Sequence, residues 1–279
     1  MADELMTRIE EALATVRRRC ALVPEVGIIL GTGLGEFATV LETEAVIPYA
    51  EIPHFATSTV ESHAGELHLG RLAGRPVAVM KGRVHYYEGY SMRQVTFPVR
   101  VLKALGCGTL IITNAVGGMN PDLNPGSIVV STDHINLMGD NPLIGPNDER
   151  LGPRFPDMSQ PYDRALIALA ESVALELRIP LPRAVFVAVA GPNLETAAEY
   201  RFLRWVGADV VGMSQVPENI VAVHGGQRVL AFNVVTDSCL PDHLHPIDIP
   251  EILANAGRAA PALIRMVTEV VRRLEPARA

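Results

Sequence analysis

Several side chains that can bind an anion and a sugar stand close together in residues 81–90. Arg83 offers a rigid fork of N–H donors that suits phosphate oxygens. His85 can donate to an anion, and Glu88 can orient its ring or raise its basicity. Tyr87 adds a flat ring face with a hydroxyl at its edge, which suits a sugar. The stretch predicts a phosphate and sugar site, although a solvated surface loop with a basic spot would have the same composition.

The placement of this stretch after a predicted strand favours a binding site. Residues 77–80 form a short apolar run typical of a buried strand, and ligands of open α/β sheets bind at the carboxyl ends of strands. Residues 26–30 predict another strand, followed by the turn 31–35, whose glycines let backbone N–H groups approach an anion. The glycine spacing of this turn matches neither the dinucleotide fingerprint nor a phosphate-binding loop with its lysine. The residues that follow predicted strands in this way are Thr32, Arg83, His85, Ala115, Glu195, Ser214 and Asp237. Their recurrence predicts one convergent pocket.

The elements that must position these residues alternate between strands and helices along most of the chain. This alternation predicts an α/β layered fold, a single domain over residues 1–279, with a central mixed, largely parallel β-sheet flanked by helices. Pro217 fits the first turn of a helix, so Ser214 lies near a helix N-terminus, which favours an anion. Residues 47–63 lack a period and predict a mobile segment, and the irregular stretch 141–160 predicts a functional or partner-binding loop.

The strand and helix predictions that the structure can test are specific. Apolar runs predict strands at 109–113, 127–130, 184–190, 209–214 and 228–235. Polar capping residues predict helix starts at Asp3, Ser91 and Asp163. The last predicted helix covers about 250–274.

Composition excludes several classes of function. The 279 residues are 48% hydrophobic, enough for one large core, and they contain no linker or repeat. The net charge of −7 and the lack of a basic stripe argue against nucleic-acid binding. The three cysteines are scattered and show no metal-ligand spacing, which predicts no metal and a reducing cytoplasm. We expect no membrane association, because no apolar run could span a bilayer and the N-terminus lacks a signal-peptide pattern.

Six motifs, taken together in order along nearly the whole chain, resemble the trimeric, low-molecular-mass purine nucleoside phosphorylases. The methylthioadenosine phosphorylases share several of them. The motifs are Gly31-Thr32-Gly33-Leu34-Gly35, Gly82-Arg83-Val84-His85-Tyr86-Tyr87-Glu88-Gly89, Thr113-Asn114-Ala115-Val116-Gly117-Gly118, Gly145-Pro146-Asn147-Asp148-Glu149-Arg150, Gly191-Pro192-Asn193-Leu194-Glu195-Thr196 and Val211-Gly212-Met213-Ser214.

The resemblance implies a pentosyltransferase of purine salvage that needs no cofactor or metal. A purine nucleoside and phosphate would yield the free base and ribose 1-phosphate, with phosphate as co-substrate. The implied phosphate ligands are Thr32, His63, Arg83, Val84, His85, the backbone of Ala115, and Ser214. The implied nucleoside contacts are Tyr87, Leu194, Glu195, Val211, Met213 and Asp237, with Phe155 from a neighbouring subunit of a homotrimer. Among these, the resemblance gives His85, Glu195 and Asp237 catalytic roles.

One position departs from the pattern of the enzymes specific for 6-oxopurines. They have asparagine where this chain has Asp237. An ionised aspartate only accepts hydrogen bonds and would repel O6, whereas a protonated one can donate to N7 and accept from a 6-amino group. Glu195 favours the opposite preference, because its carboxylate suits N1–H and the 2-amino group of guanine. Together the two acids predict a relaxed or altered preference at the 6-position.

Several alternatives stay open at this point. Methylthioadenosine phosphorylase is the main rival enzyme, and a nucleoside-binding sensor without catalysis is the rival outside enzymes. The family's histidine for the 5′-hydroxyl has no clean match, and its position falls nearest Ile249. Tyr86, Met119 and Trp205 are expected to be packing residues rather than ligands.

Overall fold

The computed structural model describes residues 2–58, 65–246 and 248–275 of the chain. Its helices are α1 Ala2–Arg19, α2 Met92–Leu105, α3 Arg164–Leu177, α4 Ala197–Trp205, α5 Val216–His224 and α6 Ile249–Arg273. Its strands are β1 Val26–Leu30, β2 Glu42–Pro48, β3 Glu66–Leu72, β4 Arg75–Lys81, β5 Thr109–Gly118, β6 Ile128–Leu137, β7 Arg183–Val189, β8 Val210–Gly212 and β9 Arg228–Ser238. Short 3₁₀ turns occur at Gly35–Val40, Tyr49–Glu51 and Tyr86–Glu88.

The strands form one mixed sheet in the order β2-β3-β4-β1-β5-β8-β7-β6-β9. The strand β1 pairs in parallel with β4 and β5, and β5 pairs in parallel with β9. Because β5 neighbours both β8 and β9, the strands β5, β8, β7, β6 and β9 close into a ring. The predicted α/β fold with a mixed sheet and flanking helices is confirmed.

Local sequence signals set the starts of α2 and α3 as expected, whereas the predicted capping residue Asp3 lies within α1, which begins at Ala2. Ser91 caps α2 by accepting from the backbone N–H of Gln94, whose side chain accepts in return from the N–H of Ser91. Asp163 caps α3 by accepting from the N–H of Leu166. These caps satisfy backbone donors that have no partner within the helix, so the polar residues mark the starts correctly.

The core lies between the sheet and its helices. All five residues of β1 are buried, and β5 and β9 are buried along most of their length. The helices α5 and α6 both pack against β9. This packing holds the carboxyl ends of β1, β5 and β9 in fixed positions, and the site described below is built there.

The structure corrects several predicted element boundaries. Three strands continue past their predicted ends, so Asn114, His134 and Asp237 lie within strands rather than in loops. Pairing around the ring explains this, because each strand finds a neighbour even where its side chains become polar. Part of the predicted irregular segment 47–63 belongs to β2, and residues 59–64 lie outside the described residues.

Two of the residues predicted to pack in the core, Met119 and Trp205, differ from each other in exposure. Met119 is fully buried, as expected, whereas Trp205 is 84% exposed and the packing prediction for it is wrong. The prediction failed because an aromatic side chain is not always buried, and the end of an amphipathic helix can expose its ring to solvent. Within the described ranges, no helix combines the length and apolar character needed to cross a bilayer.

Candidate active site

Most of the predicted site residues line one cavity of about 250 Å³ at the carboxyl ends of the central strands. Its wall includes Thr32, Arg83, His85, Tyr87, Ala115, Leu194, Glu195, Val211, Met213, Ser214 and Asp237. The structure therefore brings together residues from six separate segments, as the strand-end pattern predicts. The individual roles assigned to them stay predictions.

Two of the described residues predicted for the site, Val84 and Phe155, do not line this cavity. Val84 is buried beside it, and His63 lies outside the described residues. Phe155 is 87% exposed at the surface. Its contact with a neighbouring subunit stays a prediction.

A close approach between two backbone segments shapes the floor of the cavity. The N–H of Gly31 donates to Thr113 Oγ1 over 3.1 Å. A Cβ at Gly31 would lie 2.7 Å from the carbonyl oxygen of Thr113, closer than real Cβ atoms come. Glycine is therefore required for the turn that presents Thr32 to the cavity.

Arg83 lies in the cavity wall but is largely committed to protein acceptors. Its Nη1 donates to Asn114 Oδ1 at 2.9 Å and to both Glu218 oxygens at 3.0 and 3.1 Å, while Nη2 donates to the carbonyl of Thr113. Arg83 and Glu218 are each only 3% exposed. Some of the Arg83 N–H groups predicted to bind phosphate thus hold the guanidinium in place by donating to protein acceptors. Only the remaining N–H groups of Arg83 can face an anion.

His85 is held by the glutamate that the sequence suggested. Its Nδ1 lies 3.1 Å from Glu88 Oε1, and the same oxygen accepts from the His85 backbone N–H at 2.7 Å. The imidazole stacks on the ring of Tyr87 at 4.8 Å. Burial, reinforced by the charge of Arg83, lowers the pKa of His85 to about 4, although Glu88 acts in the opposite direction. The ring is therefore neutral at pH 7 before a ligand arrives.

Ser214 completes this end of the cavity. It directly precedes the turn into α5, and its Oγ donates to Asn114 Oδ1 at 3.1 Å. The N-terminus of α5 adds a favourable field for an anion. Sequence reasoning did not single out Asn114, although the position directly after a predicted strand was the available signal.

Two carboxylates line the opposite end. Asp237 Oδ1 accepts from Thr236 Oγ1 at 2.8 Å, and Oδ2 accepts from Cys239 Sγ at 3.1 Å. Burial raises the pKa of the Glu195 carboxyl, while a hydrogen bond from Tyr200 opposes the shift. Tyr200 was missed as a site residue, because its helical spacing also fits a packing role.

A glycine makes room for these acids. In the pairing of β5 with β9, the register shifts after Val116 and places Gly117 opposite Asp237. A Cβ at Gly117 would lie 2.5 Å from Cys239 Sγ and 3.4 Å from Asp237 Oδ2. The missing side chain therefore keeps this end of the cavity open.

The arrangement separates two chemical environments within one cavity. Neutral N–H and O–H donors, the guanidinium and a helix N-terminus meet at one end, where an anion would be stabilised. Acids and a tyrosine hydroxyl meet at the other end, where a heterocycle with N–H groups would be recognised. Among the residues that the structure describes, no cluster of His, Cys, Asp and Glu could hold a metal ion.

Comparisons with known proteins identify the family of the chain. The model of the phosphorylase superfamily matches residues 25–272. Purine nucleoside phosphorylase 1 of Bacillus subtilis is 48% identical over 268 residues, which cover 96% of this chain and 99% of that protein. Structures of Schistosoma mansoni purine nucleoside phosphorylase cover 96% of this chain and 97% of their own. The complex with adenosine is 39% identical with a TM-score of 0.91, and the complex with inosine is 38% identical with a TM-score of 0.92. The chain therefore belongs to the purine nucleoside phosphorylases of the phosphorylase superfamily.

Proposed function

We propose that this chain catalyses the reversible phosphorolysis of purine nucleosides and deoxynucleosides. A phosphate oxygen forms a bond to C1′ of the sugar while the bond from C1′ to the purine nitrogen breaks. The products are the purine base and (deoxy)ribose 1-phosphate. The observation that supports this reaction is that the anion-binding groups Arg83, His85 and Ser214 share one cavity with the base-facing acids Glu195 and Asp237.

Each end of the cavity has a part in the reaction. Thr32, Ser214 and the backbone N–H of Ala115 would fix phosphate beneath the sugar, where its charge stabilises the cationic character that develops at C1′. Tyr87 and Met213 would face the ribose. The departing purine gains negative charge, which a hydrogen-bond donor near N7 stabilises.

A substrate panel with and without phosphate tests the proposal. We expect release of free base from inosine or guanosine only when phosphate is present, with ribose 1-phosphate as the second product. Ser214→Ala should raise the KM for phosphate, whereas Ser159→Ala, at an exposed loop serine, should not. Base release that does not need phosphate would indicate a hydrolase, and binding without base release would indicate a sensor.

We further propose that the enzyme accepts both 6-oxo and 6-amino purines. Glu195 suits the N1–H and 2-amino group of guanine, and Asp237 suits a 6-amino group. The related Schistosoma mansoni protein has been crystallised with both adenosine and inosine. Comparable kcat/KM values for inosine and adenosine are the expected result. Use of inosine and guanosine without any turnover of adenosine would contradict it.

Methylthioadenosine is the second candidate substrate. The apolar side chain of Ile252 lines the cavity, whereas Ile249, the position predicted nearest to the 5′-group, is 58% exposed and does not line it. An apolar wall suits a methylthio group better than a hydroxyl. A kcat/KM for methylthioadenosine above that for adenosine would favour this substrate.

We also propose that the active form is a homotrimer that acts in purine salvage in the cytoplasm. Support for the oligomer comes from large apolar side chains that a single chain leaves exposed, among them Phe155, Ile144 and Trp205. Light scattering after size exclusion should give three times the chain mass. Phe155→Ala should raise the KM for nucleoside, whereas Leu175→Ala, at another exposed apolar position, should not.

A further inference from the structure

The backbone between Ser214 and α5 takes a rare conformation. Gln215 has φ 65° and ψ −54°, and the N–H of Val216 donates to the carbonyl of Ser214 at 2.7 Å. These values define a γ-turn of the classic type, which is strained for a residue with a side chain. Such a turn persists only where its surroundings hold it, so the contacts of Gln215 decide where Ser214 points.

The Gln215 side chain is fully buried and anchored at each polar atom. Its Oε1 accepts from Asn114 Nδ2 at 2.6 Å. Its Nε2 donates to Ser131 Oγ at 2.9 Å and to Tyr162 OH at 2.7 Å. The amide therefore ties the turn to β5, to β6 and to the segment before α3, none of which is local in sequence.

The backbone of Gln215 is tied to the arginine of the same cavity. Its N–H donates to Glu218 Oε2 at 2.7 Å, and that carboxylate also accepts from Arg83 Nη1. Asn114 Oδ1 provides a second link, because it accepts from both Ser214 Oγ and Arg83. Movement of the turn would therefore displace two of the groups that face the anion.

We propose that Gln215 is a positioning residue for phosphate in the reaction proposed above. Its amide holds the strained turn, and the turn sets the position of Ser214 Oγ and, through Glu218, that of the Arg83 guanidinium. Gln215 itself does not line the cavity. Its loss should weaken phosphate binding and leave nucleoside binding largely intact, because Glu195 and Asp237 are held by other contacts.

Three variants test this role. Gln215→Ala removes the anchors and keeps the strain, so we expect the KM for phosphate to rise about tenfold, a loss of about 1.4 kcal/mol. Gln215→Gly also removes the anchors, but glycine adopts the turn without strain, so a smaller rise is expected. Tyr162→Phe deletes one anchor only and should raise it by a still smaller factor. Nucleoside KM should stay within twofold in all three.

Asn219→Ala is the matched control. Asn219 is equally buried on α5, and its Nδ2 donates to the carbonyl of Pro161 at 2.6 Å rather than to Ser214, Gln215 or Arg83. Its loss should lower the melting temperature without changing the KM for phosphate. Binding of inorganic phosphate without nucleoside, measured by calorimetry, should follow the same order among the variants.

The outcomes separate this inference from the proposed function. An unchanged KM for phosphate in an active Gln215→Ala enzyme would overturn the positioning role. Equal rises in both KM values, matched by Asn219→Ala, would also overturn it, because general destabilisation would then explain them. If Gln215→Ala does not fold, the test is Tyr162→Phe: a raised KM for phosphate supports the positioning role, and an unchanged one overturns it. Wild-type protein that releases no base in the presence of phosphate would instead refute the proposed function.

Discussion

Replacement of Asp237 by asparagine should shift the base preference from 6-amino towards 6-oxo purines. An asparagine amide can donate to N7 and to O6, whereas an ionised aspartate repels O6 and accepts from a 6-amino group. The side chain lies at the base end of the cavity and is the same size in both forms. The substitution therefore changes hydrogen-bond character without changing the shape of the site.

The contacts of Asp237 set the expected magnitudes. In the wild-type structure, Asp237 accepts from Thr236 Oγ1 at 2.8 Å and from the Cys239 thiol, a weak donor, at 3.1 Å. An asparagine side chain keeps an oxygen that can accept from Thr236 Oγ1 and loses only the acceptor for the thiol. The free energy of unfolding should thus change by less than about 1 kcal/mol. A charge-assisted hydrogen bond contributes about 1.5–3 kcal/mol. The ratio of kcat/KM for adenosine to that for inosine should therefore fall about 10- to 150-fold.

The assay is initial-rate release of free base from adenosine and from inosine at saturating phosphate. Asp248→Asn is the control, because it removes one charge from an exposed position near the same end of the cavity. That variant should leave the ratio unchanged. A ratio that stays within twofold in Asp237→Asn would refute the assignment of Asp237 to the 6-position of the base.

Three further predictions concern the anion end and the fold. Glu88→Ala removes the oxygen that binds both the His85 backbone N–H and Nδ1, so initial rates should show a KM for phosphate about tenfold higher, with nucleoside KM unchanged. Burial lowers the pKa of His85 and of His134 to about 4, whereas a histidine in the unfolded chain has a pKa near 6.5. Below pH 6.5 the unfolded chain therefore binds more protons than the folded chain. The free energy of unfolding should therefore fall by about 2 kcal/mol or more between pH 6.5 and pH 5, and urea titrations that show no change would contradict this. Gly31→Ala forces a Cβ against the Thr113 carbonyl, so it should lower both the melting temperature and phosphate affinity, while Gly74→Ala, at an open turn, should leave phosphate affinity unchanged.

The sequence predicted the residues of the site better than their immediate surroundings. Arg83, His85 and Ser214 were found because strand ends in an α/β sheet converge on one edge. The partnership of Arg83 with Glu218 was not predicted, since the two lie far apart in the chain and Glu218 sits within an ordinary helix. Local patterns do not report which buried acid meets which buried base.

The misplaced strand ends have a similar physical origin. Asn114 and Asp237 were expected in loops, because polar residues usually end a strand. In the closed ring, β5 and β9 pair with each other beyond the apolar stretch, so the backbone remains extended through both residues. Pairing between distant strands decides such boundaries, and only the folded chain shows it.

The position of β9 also has a consequence for biosynthesis. This strand lies between β5 and β6 in the ring, yet it is the last strand to leave the ribosome. The edges of β5 and β6 that pair with β9 therefore stay unpaired until residues 228–238 have been synthesised. Unpaired strand edges can associate with other chains. A nascent chain that stalls before β9 should consequently need chaperone protection, whereas one released after it can close the ring at once.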